Sequence, residues 1–202
     1  LLDQNLGRTL EDYQSHLLHT ATALIGPRYA LLRPEFAALR EESLSRRNPP
    51  QLKQLLITLG GVDQDNFTKQ VLRALRHCPL PPGLHITVVM GAHAPWLEQV
   101  KAIALTMPCP TQVLVNVPHM ARWMTVSDLC IGAAGGTAWE RCSLGLPSFV
   151  IAMADNQQAG ALALEKQGAA RIFKNAAELV ELIKKLLTPN EPATLLKQLS
   201  MS

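Results

Sequence analysis

Two glycine turns have the residue types and spacing best suited to chemistry in this sequence. They are Gly60-Gly61 and the run Gly132-Ala133-Ala134-Gly135-Gly136-Thr137-Ala138-Trp139-Glu140. Each follows a short apolar run, Leu55–Leu59 or Leu129–Ile131, and each precedes a helical pattern. Glycine has no Cβ, so backbone N–H groups can approach an anion closely. The start of the following helix adds partial positive charge, so a pyrophosphate can be held without a metal. Glycines also make tight strand-to-helix turns with no ligand at all; two such turns at strand ends of one sheet favour phosphate binding. The dinucleotide fingerprint G-x-G-x-x-G is absent after Leu55–Leu59, the second strand ends at Met90-Gly91 with no acidic residue, and no P-loop is present.

Glu140 falls in the first turn of the helix that the glycines open. A carboxylate there repels a pyrophosphate but can accept hydrogen bonds from both hydroxyls of a ribose. Thr137-Ala138-Trp139-Glu140 also has the S/T-x-x-E spacing of a capping box, and the residues alone leave both readings open. Asp63-Gln64-Asp65 matches the D-x-D pattern with which some sugar transferases hold a metal. It stands at a predicted helix start, where Asp is a favoured cap, and no third ligand accompanies it, so no metal is assigned. The six histidines form no metal set. His16 and His19 share a predicted helix face without a carboxylate and are expected to face solvent. His93 and His119 follow strand ends on the side where ligands of such sheets bind, and either could touch one. No cofactor is implied.

These turns need a frame. From Leu55 onward the sequence alternates short apolar runs with helical patterns. Leu55–Leu59, His85–Met90, Val113–Val115, Leu129–Ile131, Ser148–Ala152 and Arg171–Phe173 read as strands. Helices are predicted around Phe67–Leu75, Trp96–Ala104, from Pro118, over Ala159–Gln167 and over Leu179–Leu186. The strands are continuous apolar runs, as in a parallel sheet covered by helices on both faces. The class is therefore α/β, a doubly wound, Rossmann-like sheet. Upstream, Leu10–Ile25 has a helical pattern broken by Gly26-Pro27, Ala30–Pro34 reads as extended, and Arg46-Arg47-Asn48-Pro49-Pro50 as a connector. Arg40, Arg46 and Arg47 cluster beside Glu41 and Glu42, which reads as a solvated linker face.

In 202 residues, 48% hydrophobic and 17% charged, there is room for a well-filled domain plus an extra segment. A net charge of +3 and 4% aromatic residues argue against a nucleic-acid partner. No apolar span approaches the roughly 18 residues of a membrane helix, so no membrane partner is expected. Four cysteines without C-x-x-C spacing suit a reduced, cytoplasmic protein.

The residues also carry a family resemblance. Tyr29–Phe36, Gly60-Gly61-Val62-Asp63, Met120-Ala121, Gly132–Cys142, Gly145-Leu146-Pro147 and Asn156-Gln157 resemble, in order and spacing, the UDP-sugar hydrolases of pseudaminic acid biosynthesis. Those enzymes act on UDP-2,4-diacetamido-2,4,6-trideoxy-β-L-altropyranose. The resemblance covers nearly the whole chain and is most specific at Gly132–Cys142. It implies a two-domain GT-B fold, with UDP held by the C-terminal domain and no metal required. Glu140 would bind the ribose, and Gly60, Gly61, Gly135, Gly136 and Thr137 the phosphates. The backbone at Met120 and Ala121 would read the uracil edge. Asn156 matches a position at the reacting sugar and Gln157 accompanies it; the alternative is that Asn156 begins a helix.

One departure stands out. The family's proposed base is a histidine after an N-terminal glycine-rich stretch, and no histidine here precedes His16. Leu1–Asn5 reads as a late strand of a preceding domain. The expected division is residues 1–30 as a remnant of that N-terminal domain, 31–50 as interdomain linker and 51–202 as the UDP-sugar-binding domain. The absent domain would be its partner. A glycosyltransferase on the same fold and a non-catalytic nucleotide-sugar-binding module are the alternatives.

Overall fold

A computed structural model describes residues 1–18, 20–188 and 196. The main sheet has six strands: β3 (Gln54–Thr58), β4 (His85–Met90), β5 (Thr111–Val115), β6 (Leu129–Ala133), β7 (Ser148–Ile151) and β8 (Arg171–Ile172). Their order is β5-β4-β3-β6-β7-β8 and every pair is parallel. Helices α1 (Pro34–Arg46), α2 (Phe67–Arg76), α3 (Leu97–Ala104), α4 (Met120–Val126), α5 (Thr137–Ser143), α6 (Asp155–Lys166) and α7 (Ala176–Leu187) cover it.

Alternate strand residues supply the two faces, as the pleat requires. Leu55, Ile57, Leu129, Ile131 and Phe149 pack with the apolar faces of α2, α3 and α7. Leu56 and Cys130 turn the other way, onto Phe36 of α1 and Ala121 and Met124 of α4. Val150 meets Ala138 of α5 and Ala161 and Leu164 of α6. The doubly wound parallel sheet read from the sequence is thus the fold.

Upstream, the reading needs correction. Leu10–Ile25 is not one helix: a 3-10 helix spans Leu10–His16, and Leu24–Ile25 forms a strand, β2, paired in parallel with β1 (Leu2–Asp3). The 3-10 helix buries none of its residues, so no packed face stabilises a longer helix there. The backbone pairs instead, with Leu24 N–H donating to Leu1 O and Gly26 N–H to Asp3 O. His16 is exposed, and His19 lies outside the described residues.

The stretch read as a linker holds a helix. Pro34 occupies the first turn of α1, where its missing N–H costs nothing, and the helix packs on α4 and α5. Phe36 and Ser43 are fully buried. The arginine cluster is not a solvated face as a whole. Arg40 is exposed, but Arg46 pairs with the buried Asp128 at 2.6 Å, whose other oxygen accepts from the N–H groups of Lys53 and Gln54. Arg47 is only 7% exposed. It donates to Ser127 O (2.9 Å), Met124 O (2.7 Å), Leu144 O (2.8 Å) and Ser43 Oγ (2.6 Å). Carbonyls left over at the ends of α4 and α5 need donors, and one planar guanidinium reaches both. Burial lowers the Arg47 pKa to about 10, so it stays a cation at neutral pH.

An Arg47→Met substitution strands several buried carbonyls and should lower unfolding free energy by roughly 2–4 kcal/mol. Urea denaturation measures this; an unchanged midpoint would mean that α1 is not clasped this way.

Candidate functional site

The chain leaves β3 toward β4 and β5, then returns to lay β6 against the other side of β3. A crevice opens beyond the carboxyl ends of strands at such a reversal. The register pairs Thr58 with Gly132, so the two turns after these strands lie side by side. Gly60 has φ +92°, which favours glycine, and both Gly60 and Gly61 are exposed. Gly91, just after β4, has no room for a Cβ because it abuts the carbonyl of Gly61. The sequence pointed to Gly91 only as a strand end; its packing role is visible only in three dimensions.

The second turn is shorter than expected, because β6 runs through Ala133 and leaves Ala134–Gly136 as the turn. Helix α5 begins at Thr137 with Gly136 as its N-cap and no side-chain cap. The N–H groups of Gly135, Gly136 and Thr137 have no acceptor among the described residues. Beside them lies a cleft of about 430 Å³ that brings Gly135 and Gly136 together with Asn156 and Gln157, and with Gln4, Asn5 and Trp139. Asn156 is exposed at the second residue of α6, after Ala154 as N-cap, so it stands in the first turn of a helix, as the alternative has it, and also lines the cleft. Gln157 accepts from Met153 N–H at 3.0 Å and lies against Gly135, so it shapes the turn.

Glu140 takes no part in capping α5, whose N-terminus has no side-chain cap. The capping-box alternative needs Thr137 as N-cap, but Thr137 is the first helical residue and its Oγ1 accepts from Arg141. Glu140 instead pairs with Arg33 at 3.5 Å. Arg33 also pairs with Glu35 at 3.2 Å and donates to Pro118 O at 3.4 Å. It therefore ties the loop before Met120 to the helix that carries Glu140. The sequence reading gave Arg33 no role, since nothing local marks a partner over 100 residues away. Met120 and Ala121 open α4, which has no side-chain cap; the Ala121 side chain is buried, leaving backbone N–H groups as what it can offer. His119 is exposed, 3.9 Å from Glu35, and His93 is exposed beyond β4. Asp63 is buried, and its two carboxylate oxygens accept from Phe67 and Thr68 N–H, which makes it a cap for α2.

Residues 54–201 match the glycosyltransferase family 28 C-terminal domain. The chain belongs to that family. Among curated proteins it is 30% identical over 128 residues to the uncharacterized protein MJ1062 of Methanocaldococcus jannaschii, covering 62% of this chain and 26% of that protein. It is 30% identical over 118 residues to the spore coat polysaccharide biosynthesis protein SpsG of Bacillus subtilis, covering 58% and 34%. The chain thus spans about a quarter to a third of the length of those relatives. Among solved structures, Acinetobacter baumannii MurG superposes with a TM-score of 0.73 at 19% identity, over 99% of this chain and 61% of that one. Anabaena Alr3699/HepE, solved with UDP-glucose, gives 0.57 at 15% identity, over 85% and 48%. These structures show a common fold, the Rossmann-like C-terminal domain of GT-B proteins.

In this family 28 domain the Glu140 carboxylate is held at a cost. Burial pushes its pKa up, and the attraction of Arg33 does not fully offset that. A raised folded pKa gives stability that is present below the ordinary glutamate range and lost as pH rises through the folded value. Relative to wild type, Glu140→Gln should therefore gain stability between about pH 4 and about pH 7. Denaturation at the two pH values tests this; a relative loss would mean that the Arg33 pair dominates.

Proposed function

We propose that this chain binds the UDP moiety of a UDP-sugar across the β3–β6 crevice, as part of a metal-independent UDP-sugar hydrolase. The observation that carries this reading is the pair of glycine turns at adjacent strand ends, one with three N–H groups free of acceptors. In this reading Gly60, Gly61, Gly135, Gly136 and Thr137 hold the diphosphate, since N–H donors bond a charged oxygen about twice as strongly as a neutral one. Glu140 accepts from the ribose hydroxyls, and the N–H groups at Met120 and Ala121 meet the uracil edge. Asn156, on the cleft wall with Gln157, touches the sugar. Water attacks the anomeric carbon, the C1–O bond breaks, and UDP leaves with the electron pair. The water's proton passes to a base in a second, N-terminal domain. A domain division at residues 1–30, 31–50 and 51–202, with α1 as the linking helix, belongs to the same proposal, as does a cytoplasmic setting. Among the described residues no helix is long and apolar enough to cross a membrane.

Hydrolysis of the pseudaminic-acid precursor rests on the resemblance at Gly132–Cys142. Family 28 membership favours a second reading, transfer of the sugar to an acceptor other than water. A protein containing this chain and its N-terminal partner, incubated with UDP-sugar and no acceptor, separates them: rapid release of free sugar fits the hydrolase, and none fits the transferase. For the chain itself, calorimetry should show UDP bound at least tenfold more tightly than uridine, unaffected by EDTA, with no turnover of UDP-sugar. Absence of UDP binding at millimolar concentration would remove the proposal.

A further inference from the structure

Arg141 is the largest fully buried side chain, at 1% exposure, and it lies directly behind the Ala134–Gly136 turn. Its Nη2 donates to Ala133 O at 2.8 Å, before the turn, and its Nη1 to Thr137 Oγ1 at 3.0 Å, after it. Its Nε is buried without a hydrogen-bond partner, and it forms no ion pair among the described residues. Gly132 makes room for it: a Cβ there would stand 2.8 Å from Nη1 and 3.1 Å from Cζ. A guanidinium brings donors and a positive charge, yet no carboxylate among the described residues pairs with this one within 4 Å, and Glu140 attracts it only at longer range. Core packing alone does not explain such a group, because an apolar side chain would fill the space without the desolvation cost.

The bond to Thr137 has a chemical consequence. A hydroxyl has one proton and two lone pairs. With a lone pair engaged by Arg141, the Thr137 proton is free to donate on the other side, where the N–H groups of Gly135 and Gly136 also lack acceptors. We propose that Arg141 is a positioning residue for a diphosphate, locking the Thr137 hydroxyl as a donor to it and placing a buried positive charge behind the turn. This rests on the nucleotide reading above but concerns the diphosphate alone. Arg141 acts through Thr137 and the turn, without touching the ligand.

The test uses four variants, Arg141→Met, Arg141→Lys, Thr137→Val and the double Arg141→Met/Thr137→Val, with UDP, pyrophosphate and uridine as probes in calorimetry. Arg141→Met and Thr137→Val should each weaken UDP and pyrophosphate roughly tenfold and change uridine by less than about twofold. Arg141→Lys should restore part of the loss, and the double variant should bind no more weakly than the worse single one, because both act through one hydroxyl. A folded Arg141→Met that binds UDP like wild type, or that loses UDP and uridine equally, overturns the proposal. If Arg141→Met does not fold, Thr137→Val decides: unchanged UDP and pyrophosphate affinity overturns it. Wild type that binds pyrophosphate but not UDP would refute the nucleotide reading and leave this inference standing; binding of neither would refute both.

Discussion

Four residue pairs, from Leu55 with Leu129 to Thr58 with Gly132, join β3 to β6 at the point where the sheet reverses its winding. Slipping that register would separate the two glycine turns and rotate Leu56 and Cys130 out of the layer they share with Phe36 and Met124. The crevice at the strand ends is therefore a consequence of how the two halves of the sheet are sewn together. Each half contributes one turn. The helices that follow β5, β6 and β7 then bring Met120, Thr137 with Glu140, and Asn156 to the same edge of the sheet.

Two buried arginines brace the helices around the site, Arg47 at the amino-end edge of the sheet and Arg141 at the carboxyl-end edge. Arg47 gathers carbonyls from the ends of α4 and α5, which fixes both helices against α1. Arg141 spans the β6–α5 turn from beneath. Between them they hold both ends of α5, Arg47 at Leu144 and Arg141 at Thr137. Arg33 makes a third link, at the surface, between α1, the β5–α4 loop and Glu140. The N-terminal segment is thus part of the site's support, since the helix that begins at Pro34 carries the residues that tether α4 and α5.

Much of this was legible in the sequence because it is local. Continuous apolar runs such as Leu55–Leu59 and His85–Met90 announce strands covered on both faces, and all six strands of the main sheet were readable to within two residues at either end. Glycines at strand ends marked the crevice. Leu10–Ile25 misled because helical periodicity means little without a surface to pack on, and that segment has none. Arg47 was misread because a charged residue beside Glu41, Glu42 and Pro49 looks solvated until distant carbonyls at Met124 and Leu144 are brought to it. Gly91, Arg33 and Arg141 have the same character: each is explained by a partner that only the folded chain supplies, or, for Arg141, by the direction in which a helix start faces.

The central claim is that a diphosphate sits on the turns after β3 and β6. Titrating the isotopically labelled chain with UDP and following backbone amide resonances tests it most directly. The account predicts the largest shifts at Gly60, Gly61, Gly135, Gly136 and Thr137, with smaller ones at Met120 and Ala121. Shifts confined to another surface, such as the groove between Leu162 and Ile172, or none at saturating UDP, would contradict it.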